Sequence, residues 1–151
     1  MYKRILVPID GSETAARGLA EALALARNLK ATIRLLNLTS DLVPVAEMSS
    51  AIDFEKFRDG LHQFGQRLLA SASEQASAQG VTAETALHGV GAGRVADAIV
   101  DEARRSGCDL IVIGTHGRRG VSRAMLGSDA ENVARSSPVP VLLVRAPETV
   151  S

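Results

Sequence analysis

The sequence contains no tryptophan, and only 3% of its 151 residues are aromatic. Its core must therefore be aliphatic. The apolar content of 46% is enough to build one, which excludes wholesale disorder. Cys108 is the single cysteine, so an intrachain disulfide and a multi-cysteine zinc site are both excluded. It suits a reducing compartment and is expected as a small buried residue at a strand start. Neither sign of charge prevails, because 17 Lys plus Arg balance 17 Asp plus Glu. A general attraction to nucleic acid or to an anionic membrane has no basis in that balance, so any anion site must be local. No run approaches the roughly 18 apolar residues of a membrane span. The opening Met1–Pro8 stretch is too short in its apolar part for a secretory signal, and Asp10 follows at once. A soluble cytoplasmic protein of one domain, residues 1–151, is the expectation.

What is present is an alternation of two kinds of segment. Arg4–Ile9 is a short run of branched apolar residues, expected as a buried strand ending near Asp10-Gly11. Ser12 is placed to cap a helix that runs to Leu29, with Lys30 closing it. Ala31–Leu38 is a second strand. Thr39–Asp53 has no sustained period, which is long for a compact connection and points to a flap. From Phe54 a helical stripe of Phe54, Phe57, Leu61, Phe64, Leu68 and Ala72 runs toward Gly80. Val81–His88 is a third strand, Gly89–Gly93 a turn, and Arg94–Arg105 a helix. Asp109–Gly114 is a fourth strand, apolar through its middle as in strands covered on both faces. A loop over 115–127, a helix over Ser128–Ser136 and a strand over Val139–Val144 complete the chain. Pro140 places that last strand at an edge or in an unusual pairing. The order predicts an α/β fold: an open five-stranded parallel sheet, Rossmann-like, with helices on both faces. Such sheets bind ligands beyond the carboxyl ends of their strands, where the strand order reverses. Asp10-Gly11, Leu38-Thr39 and the loop after Gly114 are the candidates.

The segment from Gly114 to Ser128 carries the most chemistry. It leaves a buried strand and enters a helix. Glycines let a backbone approach an anion closely, and amides at a helix start point toward it. Arg118, Arg119 and Arg123 add local positive charge, and the Ser128 hydroxyl is within reach of a phosphate. A bland explanation stands beside this one: Ser128 and Glu131 form a capping-box pattern that needs no ligand. The loop is not a Walker A motif, because no Gly-Lys-Ser/Thr follows. Gly89, Gly91 and Gly93 have the wrong spacing for a dinucleotide fingerprint and are expected to form a turn.

Gly114, Gly117 and, after nine residues, Gly127-Ser128 reproduce the spacing G-2x-G-9x-G-S/T. In this the chain resembles the ATP-binding members of the universal stress protein family, whose fold is adenine nucleotide alpha hydrolase-like. Arg4–Ser12 is similar to that family's opening strand and turn, and Ser137–Val144 to its last strand. The resemblance covers nearly the whole chain. It implies an ATP-binding regulatory or stress-response module, with ADP or AMP as alternative occupants and Mg²⁺ accompanying ATP. It places the nucleoside beside Pro8 and Asp10 and the base beside Leu38. It places ribose and phosphates at Gly114, Gly117, Gly127 and Ser128, to which His116 and Arg118 are added as candidates by their place in the same loop. It also implies a homodimer through Val139–Val144, which would protect an edge strand. Asp129 departs from the pattern, because relatives commonly carry an apolar residue after the serine. A carboxylate there suits the helix dipole of an empty site and repels phosphate.

No catalytic constellation stands out. His62, His88 and His116 lack metal-ligand spacing with one another or with Cys108. His62 is expected at the surface, His88 in a structural role, and His116 in loop packing or against phosphate. Asp10 either lines a pocket or caps the turn at Ser12. No G-x-S-x-G elbow exists, and Asp10-Gly11-Ser12-Glu13 does not match the S-G-G-x-D-S loop of related ATP pyrophosphatases. A nucleotide-binding module without turnover is the leading expectation. The alternatives are a slow ATPase and a nucleotide-free interaction module of the same fold.

Overall fold

The computed structural model describes residues 1–40, 51–91, 93–116 and 126–146, with Ile52 described by its backbone alone. Five strands and four helices alternate: β1 (Arg4–Pro8), α1 (Glu13–Leu29), β2 (Thr32–Thr39), α2 (Ala51–Ala78), β3 (Ala83–Gly89), α3 (Val95–Arg105), β4 (Leu110–Gly114), α4 (Ser128–Ser136) and β5 (Val141–Val144). The strands form one parallel sheet in the order β3-β2-β1-β4-β5. Strand order reverses between β1 and β4, so the carboxyl ends of those two strands flank the crevice such a fold offers to a ligand.

Two aliphatic layers hold the helices to the sheet, because alternate residues of a strand point to opposite faces. Ile5, Val7, Ile33, Leu35 and Val112 meet Leu19 and Leu23 of α1 and Leu69, Ala72 and Ala76 of α2. Leu6, Leu36, Ile111 and Ile113 meet Ile99 and Ala103 of α3 and Ala130 and Val133 of α4. The scarcity of aromatics is met by close packing of small residues, and Ala22, Ala76 and Val112 have no exposed surface. Cys108 is a free, buried thiol just before β4, as expected. Burial raises its pKa, against weaker lowering by Ser106 and Arg4.

Several boundaries differ from the sequence expectation. The patternless segment is shorter at both ends, because Thr39 extends β2 and Ala51–Asp53 begin α2, while 41–50 lie outside the described residues. On α2, Ala72 is buried and Leu68 packs against the core as expected, whereas Phe57 is 40% exposed and Leu69 and Ala76 join the inward stripe. β5 begins at Val141, and the Pro140 carbonyl still accepts the Ile111 amide at 3.0 Å. Proline thus contributes an acceptor just ahead of the strand and leaves no missing donor within it. The edge position itself is as expected, since β5 pairs with β4 alone.

On the α3 face an ionic row crosses the sheet beside the aliphatic layer. Arg4 and Arg34 both bind Glu84. Glu102 of α3 is only 3% exposed. It accepts from Arg34 Nε at 3.0 Å and from Arg105 Nη2 at 3.1 Å, and its other contact is His88 Nε2 at 3.0 Å. Burial works to raise the Glu102 pKa, but the bonds and charge of Arg34, with His88, more than offset it and hold the carboxyl below its ordinary range. A carboxyl depressed in this way stabilises the fold above its ordinary pKa and loses that contribution as pH falls through its lower folded value. Glu102→Ala should therefore cost about 2 kcal/mol at neutral pH, by removing the buried partner of Arg34 and leaving it with Glu84 alone. Chemical denaturation at a series of pH values should show the gap from wild type narrowing below the ordinary value of 4.5.

Candidate functional site at the carboxyl ends of β1 and β4

The chain leaves β1 through a tightly tied turn. The Ile9 amide donates to Leu36 O at 2.8 Å, and the Ile9 carbonyl accepts Nδ2 of the buried Asn37 at 2.8 Å. Asp10 Oδ1 accepts the Ser12 amide at 2.8 Å, so Asp10 does cap the turn, one of its two expected roles. Gly11 has φ +86°, a conformation that a side chain would strain. Ser12 is extended and its Oγ accepts the Ala15 amide at 3.1 Å, capping α1. The start of α1 is thereby closed by the protein's own groups.

The exit from β4 is built differently. A Cβ on Gly114 would stand 2.6 Å from the Thr14 carbonyl carbon and oxygen and 2.9 Å from the Ala15 nitrogen. Strand end and helix start are in direct backbone contact. Thr14 Oγ1 donates to the His116 carbonyl, and the Thr115 amide donates to Val144 O at 2.9 Å. The Gly127 amide then donates to Thr115 O at 2.6 Å, which ties the beginning of α4 to the end of β4. A Cβ on Gly127 would lie 2.7 Å from that same oxygen. Neither glycine has a positive φ. Both are required by proximity, not by backbone conformation.

Gly127, not Ser128, is the N-cap of α4, and no side chain caps the helix. The expected capping box is absent because Ser128 is already the first helical residue and Glu131 turns away to bind Arg135 at 2.7 Å. The first intrahelical bond runs from the Glu131 amide to Gly127 O, so the amides of Ser128, Asp129 and Ala130 are left facing the crevice end of the helix. Beside them, Thr115 Oγ1 and His116 Nδ1 are buried without a hydrogen-bond partner. Thr115 is 3% exposed. Buried polar atoms are normally paired, so these two mark a place for a polar partner that none of the described residues supplies.

Asp10, Gly114, His116, Gly127 and Ser128 are thus linked through one set of backbone contacts. Pro8 is half-buried at the end of β1. Leu38 is half-buried near the end of the neighbouring β2, where it packs beside the α3-side core. Gly117 and Arg118, with Arg119 and Arg123, lie outside the described residues. Asp129 stands in the first turn of α4. Crowding by protein raises its pKa, and the negative charge of Asp10 raises it further. Thr14, Asn37 and Thr115 were missed by sequence reasoning. Asn37, a lone amide in an apolar strand run, was the one with a visible signal. Among the described residues no three His, Cys, Asp or Glu side chains group as a metal site. His62 is exposed on α2, as expected. His88 belongs to the ionic row and, with Gly89, Ala98, Asp101, Arg104 and Arg105, lines an open cleft of ≈ 500 Å³. The cleft's charges pair with one another or with Glu102, so it is a solvated ion-paired face.

The fold is that of a doubly wound α/β protein whose strand order reverses between β1 and β4. The chain belongs to the universal stress protein family, whose model matches residues 1–145. It is 32% identical to universal stress protein YxiE of Bacillus subtilis, over 96% of this chain and 100% of that one. Among solved structures, it is similar to the hypothetical protein MJ0577 of Methanocaldococcus jannaschii, with TM-score 0.83, 26% identity and 99% of each chain covered. A universal stress protein solved in complex with cAMP aligns over 97% of this chain and 99% of its own, with TM-score 0.68 and 29% identity.

Because Gly114 sits against main chain, Gly114→Ala must push β4 and α1 apart. We expect a loss of about 1–3 kcal/mol, the usual cost of overpacking. Thermal unfolding should show it as a clearly lowered Tm, whereas an unchanged Tm would mean that the contact is loose.

Proposed function

We propose that this protein binds an adenine nucleotide (ATP, ADP or AMP) at the β1/β4 crevice and serves as a nucleotide-responsive regulatory or stress module. The observation that carries this reading is the uncapped start of α4, held on the end of β4 by Gly127 and adjoined by the unpartnered Thr115 and His116 atoms. Main-chain amides at a helix start, with the dipole behind them, are the chemistry that receives phosphate. Glycine at 127 lets the start of α4 lie directly against Thr115 and His116. The relative in complex with cAMP supports an adenine ligand. Pro8, Asp10 and Leu38 would border the nucleoside. Gly114, His116, Gly117, Arg118, Gly127 and Ser128 would border ribose and phosphates. A Mg²⁺ accompanying ATP would be carried chiefly by the phosphate oxygens.

The same reading includes a second copy of the chain as partner. β5 is an edge strand, with Leu142 and Leu143 38% and 37% exposed. An apolar edge of this kind invites strand pairing unless it is covered. Pairing of Val139–Val144 with its twin across a two-fold axis would cover both copies at once.

Two tests follow. Freshly purified protein, denatured and analysed by mass spectrometry, should release an adenine nucleotide, and Gly127→Ala, which must shift the start of α4 off Thr115, should weaken calorimetric affinity about tenfold in protein still folded at the assay temperature by thermal melt. Equal affinity in the variant would contradict the placement of the phosphate. The double variant Leu142→Lys, Leu143→Lys should elute as a monomer in light-scattering chromatography where wild type elutes as a dimer. A monomeric wild type would remove the partner.

A further inference from the structure

The proposed phosphate site contains a feature that works against phosphate. α4 presents free amides, but the second residue of the helix is Asp129. Across the crevice the turn after β1 presents Asp10. The route between them is short and rigid. Gly127 is bonded to Thr115, His116 is bonded to Thr14, and Thr14 stands two residues after the Ser12 amide that Asp10 holds. The two carboxylates therefore flank one opening. Asp129 is also harder to ionise than usual, chiefly because protein shields it from water and then because of the charge of Asp10.

A phosphate seated on the α4 amides would add its charge beside these two. The repulsion grows with each further phosphate, whereas the nucleoside end of a ligand, on the β1 and β2 side, is largely spared. We propose that Asp129, facing Asp10, is a charge filter at this site: it disfavours nucleotides in proportion to the charge of their phosphate tail, so that monophosphates, open or cyclic, are taken in preference to free triphosphate. The inference rests on the nucleotide-binding reading above and specifies which member of that ligand class is admitted. Asp129 is a specificity-determining residue in this account. The backbone amides do the binding, and the carboxylate sets the penalty. Its exposed position in the first helical turn means that it contributes little to packing, so removing its charge leaves the fold in place.

The experiment is calorimetry of adenosine, AMP and ATP, each without divalent cation, against wild type, Asp129→Asn and Asp129→Ser. Thermal melts should confirm that the variants are folded. Wild type should bind AMP at least about threefold more tightly than ATP. Both variants should tighten ATP about tenfold, AMP about threefold and adenosine less than about twofold, so the preference disappears or inverts. A purely structural effect would move all three ligands together. If the ratio of ATP to adenosine affinity stays within about twofold of wild type, the filter is overturned while nucleotide binding stands. If none of the three ligands binds wild type or either variant, the nucleotide reading falls and the filter falls with it.

Discussion

The arrangement depends on one close approach of main chain to main chain. The end of β4 lies against the start of α1, with no space for a Cβ on Gly114, and the start of α4 is bonded back onto Thr115 through Gly127. These contacts bring three chain ends to one place. They also leave a difference between the two helix starts. α1 is sealed by Ser12 and Asp10, while α4 has no side-chain cap. A helix start left open next to buried, unpartnered polar atoms is costly unless something else satisfies it. The placement of a ligand at this point follows from that physical imbalance.

The rest of the molecule secures that approach. Aliphatic layers on both faces fix the sheet against α1 and α2 on one side and α3 and α4 on the other. The ionic row of Arg4, Glu84, Arg34, Glu102 and His88 occupies the part of the α3 face beyond the aliphatic layer. It pairs its carboxylates with arginines across the sheet, Glu84 with Arg4 and Arg34 and Glu102 with Arg34. The open cleft beside it is therefore a poorer ligand site than the β1/β4 crevice.

Much of this was legible in the sequence, for identifiable reasons. The continuous apolar run at Asp109–Gly114 and the branched run at Arg4–Ile9 marked buried parallel strands, and the alternation with helical stripes gave the order of elements. The glycine spacing from Gly114 to Gly127 marked the crevice. Tertiary detail was not legible. The capping box at Ser128 and Glu131 is a valid local pattern, but the Gly127–Thr115 bond sets the helix start one residue earlier in the cap sequence and frees Glu131 for Arg135. Thr14 looked like an ordinary first-turn helix residue, and only the fold brings it to His116. The influence of Asp10 on Asp129 spans most of the chain and has no local signature. The loop residues Gly117 and Arg118 were singled out from spacing alone, and their contribution belongs to the proposed site.

The central claim is that the α4 amides receive the phosphate of an adenine nucleotide. The most direct test is backbone amide NMR during titration with AMP. The account predicts that the resonances of Thr115, His116, Gly127, Ser128, Asp129 and Ala130 move together and saturably, while those of Asp101, Arg104 and Arg105 in the last turns of α3 stay in place. Saturable shifts confined to the His88 cleft, or none at the start of α4, would contradict it.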